Sequence, residues 1–179
     1  MIIDCETHTI ESISMKDNWR ICNFAVTNTD RLKRYFPKTL KQNLTPTLSE
    51  IFVSQKVKDF KDKTEFLFTL KEKEKRTIIG LVYVKNIDYE IKRAELAYGI
   101  DYEYEGKGIT SKTVRYISDW ANKELGIETL QIIAHKTNTG SVKVAENNHY
   151  VWVKTLPKEH TPPNEAPLDM ELYELHYER

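Results

Sequence analysis

The feature that most constrains this chain is a strand, a glycine turn, a long helix and a second strand in direct succession. Ile91 to Ile100 reads as a strand, and Gly106-Lys107-Gly108 follows it. Ile109, Val114, Ile117, Trp120, Ala121 and Leu125 then recur at helical spacing. Gly126 stands where a left-handed residue costs least and so closes the helix, and Leu130 to Ala134 has the apolar run of a buried strand. Two strands joined through a helix of this length lie parallel, and nearly all such crossovers are right-handed. The chain must therefore build a sheet with at least one parallel pair and a helix covering one face.

The flanking segments supply the rest of that sheet. Thr9 to Ser14 reads as a first short strand. Asp17 caps a predicted helix whose apolar side is Trp19, Ile21, Cys22 and Val26. Asn28, Thr29 and Asp30 break the pattern, and a helical turn through Leu32, Tyr35 and Phe36 ends at Pro37. Thr47 is expected to cap a longer helix along Leu48, Ile51, Phe52, Gln55, Val57 and Phe60. From Phe66 to Leu70 the composition turns β-rich, and a charged turn at 71–76 leads into Thr77 to Lys85. With Ile91 to Ile100 these strands form an antiparallel meander. Beyond the crossover, Asn138-Thr139-Gly140-Ser141 opens a helix through Val142 and Ala145. Tyr150 to Val153 is a strand, the proline-rich stretch 157–167 a loop, and Met170 to Tyr177 a closing strand. The expectation is one α/β (α+β) domain over residues 1–179, with a mixed sheet of about six to seven strands and flanking helices.

Charge and cysteine content exclude several classes. Lys plus Arg (27) balance Asp plus Glu (27), so no global field draws the protein onto nucleic acid or an anionic membrane. The run at 71–76 mixes signs, which suits a solvated turn better than a binding patch. No apolar run reaches membrane-spanning length, and the N-terminus does not read as a signal peptide. Cys5 and Cys22 have no partner at metal-binding spacing, so neither a disulfide scaffold nor a metal site is expected, and the chain is placed in the cytoplasm.

Chemistry concentrates in Tyr104-Glu105-Gly106-Lys107-Gly108-Ile109. The two glycines let a ligand approach the backbone, and the unpaired N–H groups of the following helix point at the same spot, which suits a pyrophosphate. The spacing matches neither the nucleoside-triphosphate loop nor the six-residue dinucleotide fingerprint. A tight strand-to-helix turn without a ligand explains the same residues.

The order of elements resembles the GNAT acetyltransferases. The likeness is closest from Arg93 to Tyr150, where Ala94-Glu95-Leu96-Ala97-Tyr98-Gly99-Ile100-Asp101, the glycine turn and His135-Lys136-Thr137-Asn138-Thr139-Gly140-Ser141 are similar to the RimJ/RimL type. The resemblance implies a fold with a splayed strand pair, acetyl-CoA as co-substrate and a primary amine as acceptor, either a protein N-terminus or a small-molecule amine. The family's loop reads Gln/Arg-x-x-Gly-x-Gly/Ala. Here Glu105 replaces the first residue and Thr110 the last, while the backbone donors of Gly106, Lys107, Gly108 and Ile109 are retained. His149 stands where relatives often carry glycine before an aromatic, here Tyr150.

The resemblance further implies that Tyr98 and Ile100 offer their backbone to the pantetheine arm as a neighbouring strand would. It makes Glu95 the candidate base and Ser141 the candidate donor to the departing thiolate. Asn138 bonds the pantetheine amide or ties down its loop. Each has a plainer reading: Glu95 in an ion pair with Arg93 or Lys92, Ser141 as part of a helix start, His135 as a structural donor rather than a second base. Tyr150 and Trp152 read as core, with Tyr150 also a candidate for lining the acyl pocket. Direct attack in a ternary complex is expected, since neither cysteine has an evident base partner. The competing class is a non-catalytic acyl-CoA sensor. The acceptor is expected to meet 28–36 and 157–167, with Glu103, Glu105 and Glu165 attracting a cationic amine. Nucleic-acid and membrane partners are not expected, and both monomer and homodimer fit.

Overall fold

The computed structural model describes residues 2–178. Among the described residues eight strands and six α-helices follow one another: β1 (Ile2–Asp4), β2 (His8–Ser12), α1 (Asn18–Thr27), α2 (Thr29–Tyr35), α3 (Pro37–Lys41), α4 (Pro46–Lys61), β3 (Phe66–Glu72), β4 (Ile78–Asp88), β5 (Arg93–Ile100), α5 (Ile109–Leu125), β6 (Thr129–Ala134), α6 (Thr139–Asn147), β7 (Val151–His160) and β8 (Leu168–His176). The strands follow the order β1-β2-β3-β4-β5-β6-β8-β7 in a mixed sheet. The added strand is β1, whose three residues pair antiparallel with β2. Two compact units form: one holds the chain up to Tyr83 with Tyr98–Tyr104, the other Val84–Ala97 and everything from Glu105 on.

In the first unit, β2 pairs antiparallel with β3 from His8↔Glu72 to Ser12↔Phe68. Phe60 of α4 packs edge-on against Phe66 and Phe68, at 4.8 and 5.4 Å between ring centres, which seats the helix on the sheet. Both long N-terminal helices are turned relative to the expected faces. On α1 the buried side chains are Ile21, Cys22, Phe24 and Ala25, while Trp19 and Val26 are exposed. On α4 they are Ser49, Phe52 and Val53, while Leu48 and Ile51 face out. Polar anchors set these faces. Ser49 donates to Asn43 Oδ1 at 2.8 Å, and Asn43 Nδ2 donates to the Thr39 carbonyl, all three residues buried. The cap of α4 is Thr45 rather than Thr47, with Pro46 at the first helical position. Pro37 likewise opens α3 as well as following α2.

Asp17 does not cap α1 with its side chain. Its carboxylate instead accepts from Ser14 N and Oγ at 3.0 and 2.9 Å, and lies 2.7 Å from Lys71 Nζ. Lys71 also reaches Glu11 Oε2 at 2.9 Å, so a nearly buried cation is held by two carboxylates.

In the second unit, β5 and β6 form the expected parallel pair, and β6, β8 and β7 are joined by antiparallel ladders. Helix α5 buries Ile109, Thr113, Val114, Ile117, Ser118 and Ala121, one continuous face. Gly108 (φ +72°) and Gly126 (φ +69°) bracket it in left-handed conformations. Strand β7 runs to His160, past Pro157, where the sequence predicts a loop; an outermost strand tolerates proline because its outer N–H has no ladder partner. Trp152 is 54% exposed there and is not core; its indole N–H donates to Glu171. Tyr150 is buried as expected, its hydroxyl 2.8 Å from Ser118 Oγ, and burial pushes its phenol upward.

Candidate functional site

The parallel ladder between β5 and β6 is short. Its rungs are Arg93↔Thr129, Ala94↔Leu130 and Glu95↔Gln131, and the registered pairing ends there. Strand β6 continues to Ala134 paired with β8, from Ile132↔Tyr173 to Ala134↔Glu171. Strand β5 continues to Ile100, and its last four residues are half-exposed although the strand is fifth of eight. Beyond Glu95 the two strands share no registered pair, and an edge that parts from its neighbour in this way is where an extended ligand adds as a strand.

Glu95 occupies the last rung. Its carboxylate lies 3.0 Å from Lys85 Nζ and accepts from Asn86 Nδ2 at 2.8 Å. Its ion-pair partner is therefore on the neighbouring strand, not Arg93 or Lys92; Lys92 is engaged by Glu128 at 2.7 Å.

The glycine turn lies at the entrance to α5. Gly106 and Gly108 both have positive φ, and a Cβ built on either meets nothing within 4 Å. The requirement for glycine is thus conformational on the protein side, and the space beside the backbone is open. Gly108 has no side chain with which to cap α5, and the first-turn amides of a helix have no acceptor within the helix itself. Glu105 and Lys107 are exposed, Ile109 is buried, and Thr110 is half-buried. These features fit a pyrophosphate held by backbone donors, with no side-chain cation required.

Asn138 caps α6: its Oδ1 accepts from Ser141 N at 3.3 Å, leaving the Ser141 hydroxyl in the first turn of that helix. His135 accepts the Thr137 N–H at Nδ1 (3.3 Å) and lies 2.7 Å from the Thr137 hydroxyl, in a local turn. His149 has φ +63°. Its N–H donates to the Glu146 carbonyl and that of Tyr150 to the Ala145 carbonyl, so α6 ends in a left-handed cap, the geometry that favours glycine at this position.

Two polar links had no sequence signal beyond asparagine at a helix end. Buried Asn28 donates from Nδ2 to the Phe24 carbonyl at 3.0 Å and to Asp101 Oδ2 at 2.7 Å, and Asp101 Oδ1 accepts the Glu103 N–H. The α1–α2 corner is thereby fixed to the end of β5. In the second unit, Asn148 Nδ2 donates to Ser111 Oγ at 3.0 Å, tying the end of α6 to the start of α5. Neither Cys5 nor Cys22 is in a disulfide. Among the described residues no three His, Cys, Asp or Glu side chains cluster as metal ligands, and no helix is long and apolar enough to cross a membrane.

A short parallel ladder, a glycine turn and a crossover helix without a side-chain cap place the chain among α/β folds with a parallel strand–helix–strand unit. The acetyltransferase (GNAT) domain family model matches residues 10–151, and the chain belongs to that family. It is an acyltransferase with acetyl-CoA as its donor. Among its relatives, a Bacillus subtilis (strain 168) protein provisionally named ribosomal N-acetyltransferase YdaF is 25% identical over 138 residues, 77% of this chain and 74% of its own length. The ribosomal-protein-S5-alanine acetyltransferase of Vibrio fischeri superposes with a TM-score of 0.92 at 25% identity, covering 98% of this chain and 96% of that one. RimL, a ribosomal L7/L12 α-N-protein acetyltransferase solved with coenzyme A, shares the fold with a TM-score of 0.88 at 16% identity, covering 98% of each chain.

Proposed function

We propose that this protein acetylates the primary amine at a protein N-terminus, by direct attack of the neutral amine on the thioester carbonyl of acetyl-CoA within a ternary complex. The observation that carries the reading is the end of the registered β5–β6 ladder at Glu95↔Gln131, where the two strands part immediately beyond a fixed carboxylate. Tyr98 and Ile100 present backbone groups to the pantetheine arm. Gly106 to Thr110 hold the pyrophosphate through main-chain N–H groups, with Glu105 contributing no cation. Asn138 keeps the α6 turn in place.

Glu95 takes the proton of the attacking amine, directly or through a water. The new C–N bond forms as the C–S bond breaks; the Ser141 hydroxyl, in the first turn of α6, steadies the departing thiolate by donating a hydrogen bond, and the thiolate leaves as the thiol with a proton from solvent while Glu95 gives its own back to solvent. The names of the V. fischeri and B. subtilis relatives point to ribosomal-protein N-termini as the acceptor. The reading places the enzyme in the cytoplasm without a nucleic-acid partner, as monomer or homodimer.

Calorimetric titration with acetyl-CoA, beside CoA and dephospho-CoA, tests the donor; coenzyme release in the presence of N-terminal peptides tests the reaction. One-site binding with peptide-dependent turnover supports the proposal. Binding without turnover by any amine identifies an acyl-CoA sensor, and no binding by folded protein removes both readings.

A further inference from the structure

The charge of the chain balances overall but not locally. Between Thr29 and Lys41 stand Arg31, Lys33, Arg34, Lys38 and Lys41 against Asp30 alone, five cations less one anion, a net of +4. These residues belong to α2 and α3, and the apolar side of the pair is firmly seated. Leu32 and Leu40 are buried, Phe36 stacks on Tyr83 at 6.3 Å and 20°, and the Thr39 and Tyr83 hydroxyls lie 3.1 Å apart. Seating the apolar side turns Arg31, Lys33, Lys38 and Lys41 to solvent, while Arg34 lies over the Tyr35 ring at 5.5 Å. The same helices overlook β5: a Cβ on Gly99 would meet Phe36 at 3.8 Å and Leu32 at 3.9 Å. Gly99 lies between Tyr98 and Ile100, and Asn28 pins the start of α2 to Asp101 just beyond.

A rigid cationic corner beside the reactive stretch of β5 has two physical effects. It draws acidic chains and orients them. It also disfavours the ammonium form of an amine brought near it, which promotes the neutral nucleophile. We propose that the acceptor is the N-terminal amine of an acidic peptide, whose Asp and Glu side chains lie along α2 and α3 behind the amine. This rests on the acetyl-transfer reading above. That reading also decides against nucleic acid as the occupant, because the acceptor must carry an aliphatic primary amine.

The test uses peptides sharing their first residues but continuing with acidic, neutral or basic stretches. Each exposed charge pair contributes a factor of about 1.4 to 5, so three pairs give roughly a tenfold preference in kcat/KM for the acidic peptide. Raising salt to about 1 M, where the screening length is about 3 Å, should erase that preference. A Lys33→Glu/Lys38→Glu/Lys41→Glu variant should invert it toward the basic peptide, a gain that general structural damage does not produce. If melting shows that variant unfolded, Lys38→Glu/Lys41→Glu and the salt series on the natural protein decide. Equal turnover of all peptides, or a preference for the basic one, overturns the proposal while leaving acetyl transfer intact. If acetyl-CoA binds but no peptide turns over, the acetyl-transfer reading is what fails. Peptide titration then decides the surface: salt-sensitive binding of the acidic peptide supports it, and no binding, or tighter binding of a short RNA, overturns it.

Discussion

Gly108 and Gly126 form a matched pair from which the role of the glycine turn can be measured. Both sit at an end of α5, both hold φ near +70°, and a Cβ on either meets nothing within 4 Å. Alanine at either site therefore adds no clash, only the cost of an L-residue in the left-handed region, roughly 1–2 kcal/mol. For a chain of this size each kcal/mol lowers Tm by about 2–4 °C, so Gly108→Ala and Gly126→Ala should each melt about 2–8 °C lower, by similar amounts. Coenzyme affinity should separate them. If the alanine of Gly108→Ala escapes strain by rotating, the following peptide plane turns and the Ile109 N–H leaves the pyrophosphate. A hydrogen bond to a charged group contributes about 1.5–3 kcal/mol, so Gly108→Ala should weaken acetyl-CoA binding about 10- to 100-fold, while Gly126→Ala leaves it unchanged. Paired differential scanning and titration calorimetry read both quantities. Equal affinities for the two variants would refute the assignment of the Gly106–Thr110 turn to the coenzyme.

Three further outcomes follow from the packing. His149→Gly should raise Tm by about 1–4 °C, since it relieves a left-handed residue at an exposed helix cap, net of the entropy glycine adds to the unfolded chain. Burial alone would raise the Glu11 carboxyl, but hydrogen bonds from Arg76, Lys71 and Thr9 outweigh it and hold the group at about 2. With the folded value depressed, its stabilisation is present above the unfolded value near 4.5 and is lost as pH falls from there toward 2; Glu11→Gln should flatten stability against pH in that window, as followed by urea melts. Asn28→Ala should cost about 1–3 kcal/mol in urea unfolding, because it removes the donor that links the α1–α2 corner to Asp101.

The crossover was legible because its signals are local: a glycine at each end of one amphipathic helix, with an apolar run on either side. The N-terminal helices were not read as well. Trp19, Val26, Leu48 and Ile51 are apolar and periodic, yet exposed, because Ser49–Asn43 and the Asp17–Lys71–Glu11 group decide which side faces inward. Those partners lie up to sixty residues apart and leave no periodicity behind. The same holds for the candidate site. Glycines 106 and 108 announce themselves through backbone geometry, whereas the partners of Glu95 come from another strand and the Asn28–Asp101 bond spans 73 residues. Pro157 suggested a loop because proline breaks central strands, but β7 lies at the sheet's edge.

The most direct test of the account is the kinetic comparison of Glu95→Gln with the natural enzyme, acetyl-CoA affinity being measured alongside. Glutamine keeps the shape and can still meet Lys85 and Asn86, but cannot take the amine's proton. The account predicts that kcat falls about 10²- to 10⁴-fold while the Kd for acetyl-CoA stays within about twofold. An unchanged kcat in a folded variant would contradict it and leave Glu95 as the ion-pair partner of Lys85 alone.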